Sequence, residues 1–385
     1  MQKARDSFPD ILRGFALLGI ALVNLPLLSV DTVLALEGAD LTDPTNAGAA
    51  FVVMAFFQAK FYLLFSFLFG YSAHYVIKGD KANRGRWIGR SIGLIILGIL
   101  HFTFFFHGDI LFIYGLFGLI LLALYFRSEK TIRGWAWGIY IVVAVLFLAT
   151  TALAWIGEVA LAAKGKALPE TAFASNLDAA LSSGSFLDTV GPRLELWLLA
   201  APNGFILQGP LVFAAFLVGV LVARKNGLVD VNSSLMNKLI VWGLVIGVPT
   251  QMLGAYIFIS NSTGADSLGV YLLSLTINFL TAPFLSAAYL GLLWKLSTKV
   301  KLGLLSAAGK MSLTVYLGQS LIFTFIFSAW GLGLFGQLDL LQVSLVAVGV
   351  YLLLATFSML YLRLRAKGPM ESLLTGFSKL FERKS

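Results

Sequence analysis

Apolar residues run along this chain in long, nearly uninterrupted blocks rather than in amphipathic stripes. Blocks of about 17–28 residues predict ten helices of membrane-spanning length, since about 20 residues cross a hydrocarbon core. They are 11–30, 50–77, 87–106, 110–126, 134–157, 205–223, 239–260, 268–294, 312–330 and 341–362. The connections between them alternate in charge. One set carries Arg13, then Lys78, Lys81, Arg84, Arg86 and Arg90, then Arg127, Lys130 and Arg133, and later Arg224, Lys225, Lys295, Lys299, Lys301 and Arg363. The other set carries Asp31, Glu37, Asp40, Asp43, Asp109, Glu158, Asp266 and Asp339 and almost no Lys or Arg. By the positive-inside rule both termini are expected in the cytoplasm. The connection 158–204 then lies outside; its Ala, Ser, Gly and Pro content reads as irregular, with a stretch at Leu194–Ala200 suited to lying on the interface through Trp197.

Composition agrees with that pattern. The 385 residues are 58% hydrophobic and 12% charged, with 32 Phe; one soluble core cannot absorb that much apolar surface. The expectation is an all-α polytopic membrane protein, about ten transmembrane helices in one bundle (residues 1–385). Blocks 1–126 and 205–380 would be joined by the outer loop. No cleavable signal is evident. The net charge of +9 is placed as a topology signal and for contact with anionic membrane lipid; no nucleic acid is needed to explain it. Cysteine is absent, which removes thiolate chemistry, and three histidines without helical pairing predict no metal site. Glycine pairs such as Gly85/Gly89 and Gly134/Gly138 would allow close helix approach and would suit a homodimer.

Polar residues inside apolar spans carry the chemical information, because each costs free energy unless partnered. Asp10 and Arg13, three apart, share a face at the mouth of the first span, with Asn24 about 16 Å further along. Lys60 lies deep in the second span, either as a buried structural ion or as a functional cation. His101 near the end of the third span and Asp109 in the following turn would form a base and its orienting carboxylate if the turn folds back, with His107 as an alternative base. Asn24, Lys60 and His101 fall at similar depth and would suit one buried site. Ser312, Tyr316, Gln319 and Ser320 form a polar stripe in the ninth span, lining a cavity or gluing helices. His74 reads as structural.

These blocks together resemble the YeiB family of bacterial membrane proteins, domain-of-unknown-function family 418. The resemblance rests on Leu12–Ile20 with Asn24, Lys60-Phe61 with Leu64–Gly70, Gly98–His101 with Gly108–Leu111 and Tyr114, Gly309–Ser320, and Gly368–Glu371. The family in turn is similar to transmembrane acyltransferases of the heparan-glucosaminide and sugar types. There an Arg opening the first span is followed, after ten residues, by His or Asn; Arg13 and Asn24 match the Asn version. Those enzymes use a histidine soon after that Asn, whereas the first histidine here is His74, leaving His101 or His107 to act. The resemblance implies an inner-membrane acyltransferase. Acyl-CoA would be held on the basic side by Arg13, Arg84, Arg86 and Arg90, for transfer to a sugar, lipid or other small acceptor outside. His101, Asp109, Asn24 and Lys60 would be the catalytic set. The rival readings are a transporter or lipid-handling protein binding an anionic solute, and a non-catalytic assembly protein.

Overall fold

The computed structural model describes residues 8–166 and 175–382. Among them there is no strand; seventeen α-helices follow one another. They are α1 (Phe8–Asn24), α2 (Pro26–Ser29), α3 (Pro44–Phe56), α4 (Lys60–Ile77), α5 (Arg84–Phe104), α6 (Leu111–Tyr125) and α7 (Glu129–Ala162). Next come α8 (Asn176–Ser183), α9 (Val190–Asn203), α10 (Gly209–Arg224), α11 (Ser233–Trp242), α12 (Val248–Ser260) and α13 (Leu268–Ser297). The chain closes with α14 (Gly303–Lys310), α15 (Ser312–Phe327), α16 (Leu340–Leu364) and α17 (Pro369–Lys379). Short π-helical segments splice α9 to α10 and α11 to α12. Among the described residues seven helices are long and apolar enough to cross a membrane, or up to eight if the bent pair α14–α15 is one span. α1 and α6, expected as spans, have 17 and 15 residues.

α7 illustrates the apolar exterior. Trp137, Val142, Val145, Leu153 and Ile156 are all exposed, a surface whose natural neighbour is hydrocarbon rather than water.

Several predicted helices are interrupted, each for a local reason. The 11–30 run is interrupted after Asn24, where Pro26 has no N–H to continue the ladder. The second span breaks at residues 57–59, where Ala59 adopts φ 68°. The ninth, 312–330, is helical as α15 up to Phe327, and an 88° bend separates it from α14, which no span anticipated. The connection 158–204, read as irregular, instead contains α8 and α9 among its described residues. Trp197 of α9 stacks on Phe102 with ring centroids 3.9 Å apart.

Contacts sort the connections by charge. At one end Gly336 N donates to Ser29 O (2.8 Å), Leu340 N to Asn46 Oδ1 (2.9 Å), Ser267 Oγ to Glu158 (2.7 Å) and Ser262 Oγ to Glu37 (3.3 Å). At the other, Arg86 pairs with Glu382 (3.3 Å), Lys225 with Glu129 (3.4 Å), Arg224 reaches Arg127 O (3.0 Å) and Arg84 covers the Phe126 ring (4.5 Å). Acidic and basic connections thus occupy separate ends of the bundle.

Two stability predictions arise here. Glu371 of α17 accepts from Leu313 N (2.7 Å), Thr314 N (3.1 Å) and Thr314 Oγ1 (2.6 Å), capping α15 just after its bend. Gly368 is required beside it, since a Cβ there would lie 2.1 Å from Glu371 Oε2. Glu371→Ala is expected to cost about 1–3 kcal/mol through the stranded N–H groups, and Glu371→Gln less, read as apparent Tm in detergent. At the acidic end, burial pushes the Glu37 carboxyl up to about 7, with the Ser262 hydrogen bond opposing and the Asp266 charge adding. The folded protein then holds a proton there that the unfolded chain releases near 4.5, so stability should fall as pH rises from 4.5 to about 7. In a pH series of melting curves, Glu37→Gln should flatten that decline.

Candidate functional site

The turn after α5 does fold back. His101, on the last turn of α5, meets Asp109 with Nδ1 and Oδ1 2.7 Å apart, both buried. Asp109 Oδ2 in turn accepts from Phe112 N at 2.7 Å, so the carboxylate is fixed at both oxygens. Gly98, one turn before His101, lets α6 come this close. A Cβ on it would lie 2.4 Å from Phe112 N and 2.8 Å from Asp109 Oδ2. Tyr316 completes the group from α15. Its ring is 5.1 Å from the imidazole, and its hydroxyl accepts from Ile110 N at 3.3 Å.

A carboxylate at Nδ1 selects, for a neutral imidazole, the tautomer with its proton on that nitrogen and the lone pair on Nε2. Nε2 is buried without a hydrogen-bond partner among the described residues. Phe105 and Phe106 flank the ring at centroid distances of 6.5 and 6.2 Å. An oriented imidazole with an unpartnered nitrogen supplies one part of what proton abstraction needs, a positioned acceptor.

Lys60 belongs to a second group. The break after α3 frees the Met54 carbonyl, which accepts from Lys60 Nζ (2.8 Å) and from Asn278 Nδ2 (2.9 Å). Gln251 Oε1 accepts a second Asn278 Nδ2 bond (2.9 Å), and Gln251 Nε2 donates to Thr281 Oγ1 (2.8 Å). The Lys60 amine therefore donates to a free carbonyl at the C-terminal end of α3, a structural reason for a buried lysine. Gln251 and Asn278 were missed in the sequence, although a polar residue inside an apolar run is the signal that singled out Lys60. Asn24 lies half-buried at the end of α1, outside both hydrogen-bonded groups, so these bonds do not unite Asn24, Lys60 and His101.

The remaining candidates spread over the bundle. Gln319 Nε2 donates to Leu17 O of α1 at 3.2 Å, which is helix glue, and Ser320 is buried beside it in sequence. Asp10 and Arg13 pair at 2.7 Å. Arg84 and Arg86 make the basic-end contacts already described, and Arg90 lies 5.9 Å over the Phe69 ring. His107 is buried, and His74 Nδ1 meets Tyr125 OH at 3.1 Å. A cavity of about 550 Å³ opens at the basic end between α1, α13 and α14, lined by Phe8, Ile11, Trp294, Lys301 and Ser306 among others. None of the expected catalytic residues lines it.

Sequence comparison places the chain. It is 30% identical over 394 residues to the uncharacterized protein YxaH of Bacillus subtilis (strain 168), across 94% of this chain and 91% of that protein. The chain belongs to the DUF418 family. The model of that family, described as a protein of unknown function, matches residues 222–378. The uncharacterized protein YeiB of Escherichia coli (strain K12) is 28% identical over 388 residues, across 94% of this chain and 93% of its own. No solved structure matches. The matched block 222–378 contains Tyr316, Gln319 and Glu371 but not the His101–Asp109 pair; the similarity to YxaH and YeiB extends over both.

Proposed function

We propose that this DUF418 protein is a membrane-bound acyltransferase with His101 as general base. The observation that carries the reading is the His101 Nδ1–Asp109 Oδ1 contact of 2.7 Å with Nε2 left unpartnered. In the reaction, an acceptor hydroxyl or amine loses its proton to Nε2 as its oxygen or nitrogen attacks the thioester carbonyl. The carbon–sulfur bond then breaks, and the thiolate leaves and is protonated. Asp109 stabilises the imidazolium and fixes its tautomer. The donor, acyl-CoA, would bind at the basic end, taken as cytoplasmic. The cavity beside α1 and the cations around Arg13, Arg86 and Arg90 suit its apolar arm and its phosphates. The acceptor, a sugar or lipid headgroup, would arrive at the acidic end. Access to Nε2 requires Phe105, Phe106 or Tyr316 to move aside.

The test is a transfer assay on the purified protein in liposomes loaded with candidate acceptors. Labelled acyl-CoA is supplied at the basic face, and free thiol and labelled product are both counted. Matched release of thiol and formation of product support the reading. Solute uptake with no covalent product would favour the second reading, transport of an anionic solute. For that, the specific observation is Lys60 at a broken helix beside Gln251 and Asn278, the kind of discontinuity on which transporters build binding sites.

A further inference from the structure

Arg193, in the first turn of α9, is completely buried. Its Nη1 donates to Phe104 O at 3.0 Å and to Thr189 Oγ1 at 3.1 Å. Nε and Nη2 are sealed from solvent and have no hydrogen-bond partner among the described residues. No carboxylate among those residues lies within 4.0 Å of the guanidinium. A buried cation without a counter-charge is costly, and proteins ordinarily pair it. The edge left over is also the informative one. Nε–H and Nη2–H point the same way and form the fork that takes two oxygens of one oxyanion.

The surroundings point to the same ligand. Phe186 stacks on Phe104 (6.3 Å between centroids) and meets Trp330 edge-on at 5.3 Å. Ala329 N donates to Leu181 O at 2.7 Å, and Thr32 N donates to Asp178 Oδ1 at 3.1 Å. The 30–33 turn, the α8–α9 segment and the 328–336 loop therefore converge on the end of α5. Ser328 Oγ and Trp330 Nε1 are buried there, again without partners among the described residues. Both can donate to an anion. Burial, and then the charge of Arg193, hold His107 down at about 3; it stays neutral and does not duplicate the positive charge. Asp178, the acid of α8, is engaged by the backbone and hydroxyl of Thr32 rather than by Arg193.

We propose that Arg193 anchors a buried oxyanion site at the acidic end of the bundle, taking the carboxylate or phosphate group of a small molecule or of a lipid head through its Nε/Nη2 edge. The site stands apart from the acyl-transfer reading and does not depend on it.

The experiment uses the full chain in phosphatidylcholine nanodiscs, with apparent Tm followed at constant ionic strength. Inorganic phosphate or acetate is exchanged for chloride, and a parallel set of discs contains phosphatidylglycerol without added anion. A saturable rise of about 2–4 °C is expected for the wild type. A rise with phosphate or acetate identifies a free small anion, and a rise only with phosphatidylglycerol identifies a lipid head. Arg193→Gln should abolish the rise, and Arg193→Lys should keep at most part of it, because an ammonium has no two-oxygen fork. No oxyanion-dependent shift in the wild type, or an equal shift in Arg193→Gln, overturns the proposal. If the glutamine variant does not fold, an unreduced shift in Arg193→Lys overturns it instead.

Discussion

Acyl transfer by the His101→Ala variant is expected to fall by about 10²–10⁴-fold, the range a positioned general base contributes. The informative companion is Asp109→Asn, which nearly conserves shape. In the wild type, one Asp109 oxygen holds Phe112 N and the other holds His101 Nδ1. An asparagine can still accept from Phe112 N with its carbonyl oxygen, but it then presents its NH₂ to Nδ1. The imidazole must answer with the other tautomer, protonated at Nε2 and unable to take a proton there. The fold survives and the base does not. Both variants should therefore lose transfer to a similar degree while Asp109→Asn keeps its melting temperature within a few degrees. Full activity in His101→Ala removes the base assignment. Loss in His101→Ala with full activity in Asp109→Asn leaves a base that needs no orienting carboxylate.

The His101–Asp109 pair was legible because eight residues of apolar helix end and turn cannot hide an imidazole and a carboxylate from each other. Membership of the family was legible for a related reason: its motif blocks keep their order along the whole chain. Span boundaries were less legible. The helix break at Ala59 and the bend that joins α14 to the ninth span leave no mark in hydropathy, because the residues that relieve them come from far along the chain. Asn278 reaches Met54 from α13, and Glu371 reaches Leu313 and Thr314 from α17. Depth along a span was readable, but the face each residue presents was not. Hence Lys60 and His101 could be placed at similar heights without being placed together. Arg193 was hidden by the reading of its segment as irregular. Within a helix, a lone arginine among Leu194, Leu196 and Trp197 would have stood out as a buried cation.

Glycines make the same point, and they carry the largest structural prediction. Gly85 and Gly89 do receive the end of α17 and the residues after it closely: added Cβ atoms would lie 2.0 Å from Phe381 O and 2.6 Å from the Phe381 ring. Gly134 and Gly138, identical in spacing, have nothing within 4 Å. The tightest contact of all joins α1 to α14. A Cβ on Gly309 would sit 1.8 Å from Asp10 O, and one on Gly14 would sit 2.0 Å from Leu305 O. Both obstacles are backbone, so no rotamer change can clear them; the two helices must separate. Parting them would also disturb Tyr351, whose hydroxyl donates to Gly14 O at 2.8 Å. It would shift the Met311 bend, from which α15 carries Tyr316 toward His101. Overpacking of this kind costs about 1–3 kcal/mol or more per site. The Gly14→Ala/Gly309→Ala pair is therefore expected to lose the monodisperse folded protein on detergent extraction, or to melt many degrees lower. Gly138→Ala is the control, because it adds helix propensity of about 0.5–1 kcal/mol on an open face. It should leave Tm unchanged or raise it. Equal tolerance at all three positions would mean that α1 and α14 do not meet backbone to backbone, and the placement of Tyr316 over the dyad would fall with that contact.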